Sequence, residues 1–154
     1  MLNNWFECKV RYEKMMENGS QKKVTEPYVF DALSFTEAEA RIIEEITPYI
    51  SGSFEVTDIK KANYSEVFFD SADWADRWFK CKVAFITIDE NSGAEKENST
   101  NMLVQASDLR GAIDSLANGM KGGLCDYRIK SVSETKIMNV YPYTVKEEEE
   151  VDNE

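Results

Sequence analysis

Polar and apolar positions alternate strictly at the start of the chain. In "WFECKVRY", Phe6, Cys8, Val10 and Tyr12 fall on one side, and Trp5, Glu7, Lys9 and Arg11 on the other. Period two is the signature of a strand with one buried face. The pattern recurs in "WFKCKVAF", where Phe79, Cys81, Val83 and Phe85 alternate with Trp78, Lys80, Lys82 and Ala84. Trp5 and Trp78 lie 73 residues apart, as do Cys8 and Cys81. After each strand comes a turn sequence, "ENGS" at 17–20 and "ENSG" at 90–93, followed by a second alternating run. This order predicts a β-hairpin in each half. Pro27 in the first return strand predicts an edge position or a bulge.

A helix-period segment follows each hairpin. In "SFTEAEARIIEEITPYI", Ala38, Ile42, Ile46 and Tyr49 form the predicted buried stripe. Ser34 and Thr36 are the candidate caps, and Thr36 with Glu39 has capping-box spacing. Pro48 predicts an end or kink in the last turn. In "SDLRGAIDSLANGMKGG", a Ser107 cap and a Leu109, Ile113, Leu116, Met120 stripe put the second helix 71 residues after the first, with Gly122–Gly123 ending it. Further along, Phe54 aligns with Tyr127, Val56 with Ile129, Ile59 with Val132, Val67 with Val140 and Phe68 with Tyr141, restoring the spacing of 73.

The predicted fold is therefore α+β. An internally duplicated β-β-α-β unit, with room for a further short strand, gives antiparallel sheet(s) with two helices. Residues 1–145 form one domain built from repeats 5–69 and 78–142, joined through "DSADWAD" at 70–76. Two such copies are expected to pair about a pseudo-twofold axis, through one shared core or one continuous sheet. Residues 146–154, "KEEEEVDNE", read as an acidic disordered tail, too poor in apolar side chains to offset ordering entropy.

Three stretches carry a resemblance: "WFECKVRYEK", "VTEPYVFDALSFTEAEARIIEEI" and "ANYSEVFF". They resemble a domain-of-unknown-function family found in Bacteroidetes bacteria and viruses, over nearly the whole chain except the acidic tail. The resemblance implies a bacterial or phage cytoplasmic setting and carries over no functional residue.

Charge and residue inventory narrow the chemistry. The chain holds 29 acidic and 18 basic residues, a net charge of −11. That balance argues against general duplex-DNA binding and favours protein partners. Histidine is absent. This excludes Ser-His-Asp and Cys-His catalysis and the usual proton shuttle near neutral pH. No Walker loop, GxGxxG or CxxC motif occurs. The three cysteines have no paired spacing, and the periodicity makes Cys8 and Cys81 core residues. Asp70, Asp73 and Asp76 lack EF-hand spacing and read as linker and cap residues. The N-terminus has neither the basic start nor the apolar core of a signal peptide, and no apolar run reaches the length of a membrane span. A cytoplasmic location follows.

One face carries a sharper signal. Trp5, Lys9 and Arg11, with Trp78, Lys80 and Lys82, interleave aromatic and basic side chains on strands. Such a face can stack bases and neutralise phosphates. The competing reading packs the tryptophans under a loop or partner and pairs the cations across strands. The expectation is a non-catalytic, cofactor-free binding or adaptor protein that engages another protein, with single-stranded nucleic-acid binding as the alternative.

Overall fold

A computed structural model describes residues 2–144. The first half runs β1 (Trp5–Met15), β2 (Gln21–Asp31), α1 (Phe35–Ile46) with a 3-10 turn (Thr47–Tyr49), β3 (Phe54–Ala62) and β4 (Tyr64–Phe68). The second runs β5 (Arg77–Ile88), β6 (Glu95–Ala106), α2 (Leu109–Gly119), β7 (Asp126–Glu134) and β8 (Val140–Tyr141). The fold is α+β, and its two halves repeat one order of elements. β1 pairs antiparallel with β2, Trp5 opposite Asp31, and with β3 on its other side. β5 does the same with β6, Trp78 opposite Gln105, and with β7. A bulge interrupts β3 beside Lys9 and Val10 and another interrupts β7 beside Lys82 and Val83. Thr57 and Lys130 are the extra residues, again 73 apart.

The last strand of each half leaves its own sheet. β4 pairs parallel with β6, and β8 pairs parallel with β2. The two sheets are thus ordered β3-β1-β2-β8 and β4-β6-β5-β7. Reciprocal exchange of equivalent strands gives the topology a twofold symmetry. Hydrogen bonds trace the second crossover. Thr135 donates from its backbone N–H and its hydroxyl to the Trp78 carbonyl, at 2.9 and 2.8 Å. Met138 N–H then reaches the Pro27 carbonyl at 2.9 Å, and Val29 N–H reaches the Asn139 carbonyl at 3.1 Å. The two sheets are mostly antiparallel, each with one parallel end strand. Pro27 sits at a β2 position flanked by β1 and the incoming β8 segment, where its carbonyl still accepts.

Each helix covers the outer face of its own hairpin. Phe6, Cys8, Val10 and Phe30 pack with Ala38, Ile42 and Ile46, while Phe79, Cys81, Val83 and Val104 pack with Ala112 and Leu116. Cys8 and Cys81 are free and buried in these two cores, as the alternation requires. Burial pushes their thiols up, to about 12 for Cys8 and about 11 for Cys81.

The helix boundaries differ from the expected ones. The cap of α1 is Ser34, which accepts from Glu37 N–H at 3.2 Å, while Glu37 accepts from Leu33 N–H at 3.1 Å. The capping pair is therefore Ser34 and Glu37, not Thr36 and Glu39. Tyr49 lies in the 3-10 turn and is exposed, outside the predicted stripe. In α2 the cap is Asp108, accepting from Gly111 N–H at 2.7 Å, not Ser107. The buried residues are Ala112 and Leu116, while Leu109 and Ile113 are exposed. Ala38 and Ala112 are equivalent, so the helices are offset by 74 rather than 71. The physical reason is a second hairpin turn, 89–94, one residue longer than 16–20.

Equivalent polar side chains tie down the chain that leads into each repeat. The buried Asp31 carboxylate accepts from Leu2, Asn3 and Asn4 N–H at 2.8, 3.3 and 2.9 Å. Gln105, at the matching position of β6, accepts from Asp70 N–H and donates to the Ala75 carbonyl, both at 2.9 Å. Asp70 in turn accepts from Ala72 N–H at 2.9 Å, which makes it a turn residue of the joint. The tail, 146–154, lies outside the described residues.

Candidate binding groove between the two sheets

The outward face of β1 changes character along its length. Trp5, at its start, is only 1% exposed, and Trp78, at the start of β5, is 2% exposed. Together with Val29, Val67, Leu103, Ile137 and Val140 they make a third core. Val67 and Val140 belong to the exchanged strands, so the exchange closes this core between the sheets. Trp5 and Trp78 are therefore not surface groups, and neither is available to stack on a base. Phe69 meets the Trp78 ring edge-on at 5.4 Å. The Trp5 indole N–H is buried with no acceptor among the described residues, a cost the surrounding apolar packing has to offset.

Two residues further along, the same faces open into a groove of about 480 Å³. Glu7, Lys9, Thr25 and Pro27 line it from one sheet and Tyr64 and Lys80 from the other. The crossover segment Thr135, Lys136 and Ile137 closes one side. Topologically equivalent positions, Glu7 with Lys80 and Tyr64 with Ile137, both line it.

The charges in the groove are unevenly satisfied. Glu7 pairs with Lys60 at 3.4 Å. Lys9, Lys80 and Lys136 have no ion pair among the described residues. Lys82 is exposed on the same face of β5 as Lys80, opposite Asn101 and Ser131, and is likewise unpaired. Arg11 pairs with Glu55 at 3.0 Å, beyond the groove. On β5 the corresponding place is Ala84, with Arg128 on the neighbouring β7 paired to Glu95 and Glu97. Burial pushes the Tyr64 hydroxyl up to about 12, and Glu7 adds to the effect. Tyr64 thus stays a neutral donor beside the lysines.

Of the six residues expected on one binding face, the structure brings Lys9 and Lys80 into the groove, leaves Lys82 exposed on the strand leading out of it, buries Trp5 and Trp78, and commits Arg11 to a pair. Lys136, Thr25 and Thr135 were not legible as site residues. Their place depends on the exchanged strand, and nothing in their local sequence signals it. A hollow of about 640 Å³ at the end of the first hairpin is also polar, but there Arg11 and Glu55 neutralise each other. Beside it, Tyr12 donates to the nearly buried Glu26, and desolvation, with this bond adding to it, pushes the Tyr12 hydroxyl up to about 12.

Three ammonium groups without ion pairs among the described residues, the Thr25 hydroxyl and a neutral phenol gather donors suited to an anion, while the Thr135 hydroxyl is already committed to the Trp78 carbonyl. The donors are spread over an open cleft rather than focused on one point, which suits a chain segment bearing carboxylates or phosphates. None of the helices among the described residues is long and apolar enough to cross a membrane. No curated protein matches the chain. Residues 4–143 match the family described as Domain of unknown function (DUF4494), and the chain belongs to that family.

Proposed function

We propose that this protein is a non-catalytic binding or adaptor protein that engages an acidic segment of another protein in the groove between its sheets. The setting we infer is the cytoplasm of a bacterium or of a phage-infected cell, following the family resemblance. One observation carries the reading: Lys9, Lys80 and Lys136 line one groove without an ion pair among the described residues, in a chain of net charge −11. Like charges held together without counter-ions favour an anionic ligand. Two facts weigh for a protein rather than single-stranded nucleic acid. Burial of Trp5 and Trp78 removes the aromatic platform that single-strand binders use. The strong overall negative charge opposes a long polyanion outside the groove.

The test is calorimetric titration of the intact protein at low salt with a short Glu- and Asp-rich peptide and, separately, with oligo-dT. The expected result is binding of the peptide that weakens with salt. Replacing Lys9, Lys80 and Lys136 together by Ala is expected to cost about tenfold or more per lysine, since a charged hydrogen bond contributes about 1.5–3 kcal/mol. Peptide binding unchanged by the triple substitution would refute the groove as the site. Tight, lysine-dependent binding of oligo-dT without peptide binding would replace the protein partner with a nucleic acid.

A further inference from the structure

We infer a second interaction surface, independent of the lysine groove: the cleft between α1 and the free edge of β3, which takes an extended basic segment of a partner by strand addition. β3 is an end strand, hydrogen-bonded to β1 on one side, and among the described residues no strand pairs with its other side. An edge of this kind presents backbone donors and acceptors to an incoming strand. Two adjoining hollows run beside it, sharing Glu39 and Val56. Their apolar walls include Phe35 and Ile43, which are 53% and 43% exposed. Phe35 rests edge-on against the core ring of Phe6 at 4.8 Å, and its exposed part lines the hollows with that of Ile43, so alternate side chains of an added strand would meet them.

Charge selects the occupant. Glu39 and Asp58 line the hollows, and none of the lining residues is Lys or Arg. The ligand class is therefore an extended peptide alternating apolar residues with Lys or Arg. The bulge at Thr57 turns the strand in mid-course. It sets a bend that the added strand must follow, and it disfavours flat edge-to-edge pairing with a second copy of this chain.

The experiment is heteronuclear NMR of the intact protein titrated with a short peptide alternating Lys and Val, and with its Glu-Val counterpart. The Lys-Val peptide is expected to shift the amide signals of residues 54–59 and slow their hydrogen exchange, while the Glu-Val peptide binds at least tenfold more weakly. Ile43→Lys and Glu39→Lys change exposed side chains and are expected to keep the melting temperature while weakening Lys-Val binding tenfold or more. Equal binding of both peptides, signal changes elsewhere, or an unchanged affinity in both variants would overturn the assignment. A dimer in sedimentation that Ile43→Lys dissociates would also overturn it, by making the cleft a contact between copies.

Discussion

The exchanged strands make a strong claim about the first half alone. A fragment ending at Asp76 keeps β1, β2, β3 and α1, but loses β8, which covers Val29 in the sheet, and leaves β4 without β6 to pair with. As a monomer it would expose Trp5, Val29 and Val67, all buried in the intact chain. At about 1.5–3 kcal/mol for each buried side chain, that is a loss of roughly 5–9 kcal/mol. The whole stability of an ordinary domain is about 5–15 kcal/mol, so the monomeric fragment should not fold. Two copies have a remedy, because the topology is already twofold: each can add its β4 to the other's β2, as β8 does now. The expected species is a folded, domain-swapped homodimer whose circular-dichroism signal is lost on dilution. Sedimentation equilibrium together with circular dichroism over a dilution series decides the matter. A fragment that stays folded as a monomer at the lowest concentration would show that the exchange is not structurally required. A fragment unfolded at every concentration would show that Val67 and Tyr64 cannot replace Val140 and Ile137 in the shared core.

Three further outcomes follow from particular contacts. A Cβ on Gly119 would lie 2.6 Å from the Phe68 ring, so Gly119→Ala should lower stability by about 1–3 kcal/mol despite its better helix propensity, and denaturant melts with Phe68→Leu in a double-mutant cycle should show coupling. Asp31→Ala leaves three backbone N–H groups at the N-terminus without their carboxylate, which should cost about 3 kcal/mol and speed proteolysis before Trp5. The thiols of Cys8 and Cys81 and the hydroxyls of Tyr12 and Tyr64 ionise later folded than unfolded. Their stabilising contribution is full below about pH 9 and lost as pH rises through about 11–12. The melting temperature should fall over that alkaline window, and a thiol reagent at neutral pH should label the exposed Cys125 quickly and the other two only on unfolding.

Much of the fold is legible in local pattern. The alternation in "WFECKV" fixes the Cys8 face, and "WFKCKV" at 78–83, which differs only at Lys80, announces the second copy. What escaped the pattern depends on distant contacts. Whether Trp5 is exposed turns on what covers it, and the cover comes from the exchanged strands β4 and β8, which are only five and two residues long. Of the predicted α2 stripe, Leu116 and Met120 pack on the core while Leu109 and Ile113 are exposed, because helical spacing alone does not separate those two from Ala112, which takes the interior place. The small Ala112 is the better interior residue here only because the helix sits close to its sheet, and Gly119 against Phe68 is the mark of that approach. For the site, Lys9 and Lys80 could be picked out by alternation, but Lys136 could not.

The duplication also explains why the groove is not symmetric. A cleft between two identical repeats would present the same groups from either side and hold a ligand equally well in both directions. Here Glu7 stands where the other half has Lys80, and Tyr64 where the other half has Ile137. Lys60 neutralises Glu7, so the cations left without ion pairs among the described residues are Lys9 on one sheet, Lys80 on the other and Lys136 in the crossover. A bound chain then meets Lys80 and the Tyr64 hydroxyl on one side, and Lys9, Thr25, apolar Pro27 and a paired carboxylate on the other. The twofold topology therefore supplies the cleft, and the differences between the repeats give it a direction. Lys80→Glu would restore the equivalence at that position, and it should weaken an acidic segment more than Lys80→Ala does, because it adds repulsion as well as removing a contact.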